Sequence, residues 1–293
     1  EMCIRDRSII YKLNYAWRFT VHASYKERYG EMTDLYDRPY QTDYRNSVWN
    51  CGILPVYRQQ LYSVYGEYKS TAREFFATVN LTHNREWYNR IYEQRIENGQ
   101  VQRVSLPLSN HGSGYTVKST LSKGFYDLGL KTSLMALLNI SKAEQISGGQ
   151  RLPYQYRLMR LEPKVIWTPN RHWETSYQTD IRYGGSKIGE RTRLAPLWNV
   201  IQQVQLSYIF SPIEASLSVD HYHNDVNEDQ SVNAVFADFS VSWKSGRWQI
   251  TATATNLFDK RTYAYTRYAS LESYTSWVRI RPREFLVAIR YRL

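Results

Sequence analysis

Two imidazoles stand two residues apart in His221-Tyr222-His223. On an extended strand that spacing puts both on one face, where they could hold a transition metal. Just beyond, Asp225, Asn227, Asp229 and Ser231 place oxygen ligands at alternate positions, as a calcium loop does. The sixth position is not Gly, and Phe236 stands where a bidentate Glu would close the shell. No metal is therefore expected at either place: the histidines fit an outward strand face, and the carboxylates fit an acidic loop. Glu174, Asp180, Asp220 and Asp238 could supply a general acid and base. Each lies on the polar phase of a strand, where pairing with Arg or solvating a channel is the simpler role. No GxSxG, HExxH, P-loop or GxGxxG pattern occurs. Catalysis has no support here, and no cofactor is implied. The best candidates for recognition are Tyr36, Tyr40, Tyr44 and Trp49, interleaved with Asp34, Asp37 and Arg45 in one polar stretch. Aromatic faces among polar groups suit sugars and aromatic chelates alike.

The elements that must carry these residues are strands. Tyr11 to Tyr25 place apolar and aromatic residues at odd positions, with Asn14, Arg18, Thr20, His22 and Ser24 between them. The same two-residue period recurs along the chain, as at Ala215, Leu217, Val219 against Ser216, Ser218, Asp220. Period two means one apolar and one polar face per strand. It predicts about twelve strands, and no window sustains a helical period. In residues 155–167 the apolar phase shifts from even (Tyr156, Leu158) to odd (Leu161, Val165, Trp167), which predicts a β-bulge near Arg160–Pro163.

The connections alternate in length. KSTARE, KGFYDLG, TPNR, SPI and KSGR are short; the others, such as residues 30–56, are long. Short turns on one rim and long loops on the other are the rule for outer-membrane barrels, with the short side periplasmic. A soluble sandwich gives no reason for the alternation. Trp167, Trp173, Trp243 and Trp248 flank short turns, where indole rings suit the inner headgroup level.

Composition agrees. Of 293 residues 15% are aromatic, including 26 Tyr and 9 Trp. The mean hydropathy of −0.58 is no obstacle, because only alternate barrel residues meet lipid. The net charge of +11 comes from dispersed Lys and Arg without a basic run, so no nucleic-acid partner is expected. Cys3 and Cys51 have neither metal-ligand nor disulfide-framework spacing. EMCIRDR, at the start, carries neither the features of a signal peptide nor the strand pattern that follows. Residues 1–10 are expected to be a non-native or disordered junction, and 11–293 a partial barrel without its plug.

The run Asn256-Leu257-Phe258-Asp259-Lys260, with Tyr263 three residues on, resembles the NLFDK-x-Y motif near the end of TonB-dependent receptor barrels. RPREFLVAIRYRL at the end is similar to that family's closing strand, although it finishes in Leu293 rather than an aromatic residue. The resemblance spans roughly residues 11–293. It implies an all-β, antiparallel up-and-down transmembrane barrel of about 22 strands, plugged by an N-terminal domain. This chain would be the C-terminal half of that barrel. The implied function is active uptake of a large scarce solute, of siderophore, glycan or peptide class, across the outer membrane of a Gram-negative cell. The implied partners are outer-membrane lipid, the barrel-assembly machinery, a surface lipoprotein lid, and the TonB complex acting through the missing plug and TonB box. The rival readings are a smaller closed barrel acting as porin or adhesin, and a secreted β-rich binding module.

Overall fold

The computed structural model describes residues 3–97, 99–189, 192–226, 229–268 and 273–292. Its elements in chain order are β1 (Cys3–Lys12), β2 (Trp17–Tyr29), β3 (Tyr40–Gln41), β4 (Asn46–Trp49), β5 (Val56–Ser70), β6 (Phe75–Tyr88), β7 (Ile91–Glu97), β8 (Gln100–Leu106), β9 (Asn110–Phe125) and β10 (Leu130–Ser147). They continue as β11 (Gln150–Asn170), β12 (Trp173–Ile188), β13 (Thr192–Phe210), β14 (Ile213–Asp225), β15 (Ser231–Ser245), β16 (Trp248–Thr255), β17 (Thr262–Tyr268), β18 (Ser273–Arg279) and β19 (Glu284–Tyr291). The helical elements are two 3-10 turns, Met32–Leu35 and Tyr126–Leu128.

Thirteen strands form one antiparallel meander: β1, β2, β5, β6, then β9 through β16, then β19, each paired with the next. Register carries the alternation across the sheet. Val21 stands opposite Val64 and Val64 opposite Leu81, while Leu206 stands opposite Leu217 and Leu217 opposite Phe239. These residues share the apolar face. The polar face carries rows such as Gln205, Ser218 and Asp238. A one-residue slip would exchange the faces, so register is strongly specified. Among the described residues β1 pairs with β2 alone and β19 with β16 alone, so both lateral edges of the sheet are open.

Two expectations need correction. The meander has thirteen strands, because Cys3–Lys12 pairs along its whole length with Arg18–Glu27. Period two hides this strand: Arg5 and Arg7 stand opposite Tyr25 and Ala23, in the phase that is apolar elsewhere. The bulge is not at Pro163. The β10–β11 register runs unbroken from Leu130↔Trp167 to Ser147↔Gln150, and the shift against β12 lies between Trp167 and Asn170, beside a turn. Side-chain direction therefore does not invert between Gln150 and Trp167. Tyr156 and Leu158 are apolar residues on the polar face, with a consequence for the site.

The side-chain caps of the short-turn rim are local. Asn14 Oδ1 accepts the N–H groups of Ala16 and Trp17 at 2.8 and 2.9 Å, and Asn170 Oδ1 accepts those of His172 and Trp173 at 2.9 and 3.1 Å. Gly129 closes the β9–β10 turn at φ 58°, where any Cβ would strike the Thr168 carbonyl. The opposite rim is built at long range. Buried side chains lie toward that rim, among them Ile91, Val104, Ile146, Leu197, Ala234 and Ala264.

Candidate ligand-binding site

Asn256 turns the chain out of β16. It adopts φ 52°, a conformation Asn tolerates better than most residues, and its side chain is buried. Its Nδ2 donates to the carbonyls of Lys260 at 2.8 Å and Arg281 at 2.9 Å, and its Oδ1 accepts the Lys260 N–H at 3.0 Å. One amide thus ties the start of the β17–β18 excursion to its end. Below it, Asp238 Oδ1 accepts the Asn256 N–H at 2.7 Å, and the Leu257 N–H reaches the Ala237 carbonyl at 2.8 Å. Asp259, at φ 50°, accepts from the Arg283 N–H at 3.1 Å and from Arg261 Nη2 at 3.0 Å. The Arg261 hydrogen bond, followed by that of Arg283, holds its carboxyl below the ordinary value of 3.8. Phe258 is exposed. Asn256 and Asp259 thus act as a structural root for a hairpin.

That root directs β17 toward the polar face of β14. Asn224 Nδ2 donates to the Tyr263 hydroxyl at 2.7 Å, and the Tyr222 and Tyr263 rings meet edge to face at 5.3 Å. A cavity of about 560 Å³ opens beside them, lined by Tyr156, Asp180, Arg182, Asn224, Tyr263 and Tyr265 among others. Asp180 is bidentate to Arg160 (3.0 and 2.9 Å) and also accepts from Arg182, the shortest contact being 2.6 Å. Glu162 pairs with Arg160. Each cation has a carboxylate, so the wall is rigid and close to neutral. Tyrosine rings beside amide and guanidinium donors can stack on a flat solute and hydrogen-bond its hydroxyl or carbonyl groups. Sequence reasoning missed Tyr156, Arg182, Asn224 and Tyr265 as members of one site. The phase change at Tyr156 and Leu158 was the available signal.

The predicted recognition loop, residues 30–56, lies on the same rim. Arg90 pairs with Asp34 at 2.8 Å, both largely buried, and Gly30 donates to the Pro55 carbonyl at 2.8 Å. β4 adds in parallel to β8, and β7 joins β10 through Ile146↔Glu93. The loop is thereby held against the β7–β8 hairpin. Tyr36 and Tyr40 meet edge to face at 6.1 Å, and Trp49 Nε1 donates to Asp37 Oδ1 at 3.0 Å. Tyr44 and Arg45 occupy the turn between β3 and β4, with the guanidinium 5.2 Å from the Tyr44 ring centre. Asp43 shapes that turn, accepting from Asn46 Nδ2 at 2.7 Å and from the Arg45 and Asn46 N–H groups. The Asn46 side chain is the main cause of its lowered carboxyl pKa.

His223 bonds Asn233 Oδ1 at 2.9 Å and faces Asp225 at 3.2 Å, while Asp225 accepts the Trp198 N–H at 2.8 Å. Asn227 lies outside the described residues, so the calcium-like spacing is only partly described. Among the described residues no group of three or more His, Cys, Asp or Glu is assembled for a metal. Cys51 is a free thiol 3.5 Å from Ser105 Oγ.

No protein-family model and no curated protein matches the sequence. Solved structures do resemble the fold. FpvA of P. aeruginosa, solved with heterologous pyoverdine and iron, aligns over 98% of this chain and 44% of its own, at 10% identity and a TM-score of 0.51. The fold is that of an outer-membrane β-barrel. The ferric yersiniabactin uptake receptor FyuA of Yersinia pestis aligns at 8% identity and a TM-score of 0.48, over 99% of this chain and 50% of its own. For the siderophore receptor PirA of Acinetobacter baumannii the values are 8% and 0.45, over 87% and 52%. The chain thus spans about half the length of these proteins. At such identities the FpvA likeness speaks for fold and for nothing finer.

Proposed function

We propose that this chain is the C-terminal part of the barrel of a TonB-dependent outer-membrane transporter, taking up a large scarce solute of siderophore, glycan or peptide class. The observation that carries the reading is the meander itself, with apolar and polar faces, local turns on one rim and tied-down long loops on the other. The Asn256–Asp259 root, which coincides with the NLFDK resemblance, adds to it. Two open sheet edges cost unpaired backbone groups in lipid, which supports further strands that complete the barrel. A plug and TonB box would then belong to the same receptor. Solute contacts are assigned to the cavity beneath β17 and to the loop bearing Tyr36, Tyr40, Tyr44, Arg45 and Trp49. The test is uptake of candidate solutes by cells carrying the intact gene. Uptake lost on removing either this protein or TonB supports the reading. Passive uptake independent of TonB, scaling with concentration, favours the porin instead.

A further inference from the structure

The outward, apolar face carries a site at the short-turn rim that solute uptake does not use. Trp17, Tyr68, Arg73, Phe75, Ala77 and Lys123 line a cavity of about 430 Å³. Its aromatic wall is continuous: the Trp17 and Tyr68 rings are 4.8 Å apart, and Tyr68 and Phe75 are 5.8 Å apart. Lys123 Nζ donates to the Arg73 carbonyl and lies 5.2 Å from the Phe125 ring centre, which draws the two cationic residues together. The nearest carboxylate is turned away. Glu74 occupies the space a Cβ of Gly124 would need, and Gly124 belongs to the polar face. Among the described residues Arg73 forms no salt bridge.

Above the cations the face is apolar. Ala77 stands between Tyr68 and Leu121, and Gly66 stands between Phe19 and Val79. The Phe19 ring packs over Gly66, where a Cβ would lie 3.5 Å from its edge, and extends the aromatic surface from Trp17. A paired cation site at headgroup level, continuing into an apolar surface at acyl depth, has the shape and charge of one amphiphile.

We propose that this groove binds an anionic phospholipid of the periplasmic leaflet. Its phosphate sits between Arg73 and Lys123, its glycerol region lies against Trp17 and Tyr68, and one acyl chain runs over Ala77 and the Phe19 ring. The proposal rests on the membrane-spanning reading. The intact protein is reconstituted in phosphatidylethanolamine nanodiscs with a minor fraction of phosphatidylglycerol, and retained phosphatidylglycerol is read by native mass spectrometry. Phosphatidylglycerol affinity should fall roughly fivefold for Arg73→Ala or Lys123→Ala and on the order of thirtyfold for the pair. The charge-conserving pair Arg73→Lys with Lys123→Arg should restore it, and Lys131→Ala, on the polar face, should leave it unchanged. Equal retention in all variants overturns the site. Displacement by inorganic phosphate alone overturns the lipid assignment in favour of a free anion. Brominated acyl chains added to the same discs should quench Trp243, at the rim of another part of the apolar face. Failure of that quenching would sink the membrane reading, separately from the lipid site.

Discussion

The two rims of this sheet are held by different physics. On the short-turn rim the side-chain caps act on their own neighbours, Asn14 and Asn170 each capping groups two and three residues on, and backbone bonds such as Lys69 N–H to the Ala16 carbonyl merely continue the ladder between adjacent turns. On the long-loop rim the ties span long separations. Asn256 reaches Arg281, Arg90 reaches Asp34, and the Gly149 N–H donates to Glu93 Oε1 at 3.1 Å. Glu93 is itself buried, and its Oε2 accepts from both Nε and Nη2 of Arg95, at 2.9 and 2.7 Å. The difference teaches where conformation can be tuned. A turn rim with local caps only has to reverse the chain and continue the ladder. A loop rim made of distant bonds has to hold a surface, and different loop residues can change that surface without disturbing the ladder beneath.

The comparison presumes a membrane between the rims, and the largest expected effect tests that. Leu217→Arg places a guanidinium on the apolar face at mid-strand and should cost roughly 2–4 kcal/mol of folding stability in lipid, whereas Ser218→Arg, on the polar face, should cost little. Equal costs in bilayer refolding titrations would refute the assigned faces. The next effect sets the rims against each other with one residue type. Asn256→Ala breaks three bonds to backbone groups and should cost about 2 kcal/mol, with faster hydrogen exchange across residues 257–283. Asn256→Gly keeps the positive φ and so separates strain from lost bonds. Asn170→Ala should cost about 1 kcal/mol and change exchange only in its own turn. If its effect spread as far as that of Asn256, the contrast between rims would fail.

Replacing Glu93 by Gln removes the charge opposite Arg95 but keeps an acceptor for the Gly149 N–H. It should expose the β7–β8 hairpin to protease before the sheet itself, at a cost of about 1 kcal/mol because Arg95 is half exposed. The smallest effect is on pH. Asp259 and Asp43 have lowered carboxyl pKa values, so their contribution is complete above the ordinary value of 3.8 and is lost as pH falls through the still lower folded values. Loop exchange rates should therefore stay flat from neutral pH down to about 4 after correction for intrinsic chemistry, and rise only below that. A rise well above about pH 4 would refute the assignment to these two carboxylates.

Much of this was legible in the chain. Leu217 beside Ser218 already says which side chain meets lipid, because successive side chains on a strand must point to opposite faces. KSGR and TPNR mark turns because their residues act within a few positions. The cavity was not legible. Tyr156 and Leu158 break the alternation for a reason that only their neighbours across the polar face reveal, and nothing local distinguishes Arg182 or Asn224 from other polar-face residues. The NLFDK run was visible as a resemblance, but its work, one amide joining carbonyls at both ends of a hairpin, was not.

By itself, then, the sequence determined the all-β class, the two faces, the order of the meander strands from Trp17 onward, without the short strands of the long loops, and which connections are short and which long. All of these follow from period-two stereochemistry and short-range turn bonding. The tertiary structure decided that Cys3–Lys12 is a strand, that β11 passes Pro163 without a bulge, that both edges stay open, and that β17 folds over Tyr156 and Asp180. Each of those depends on hydrogen bonds or packing between residues distant in the chain, which leave no periodic trace in either partner alone.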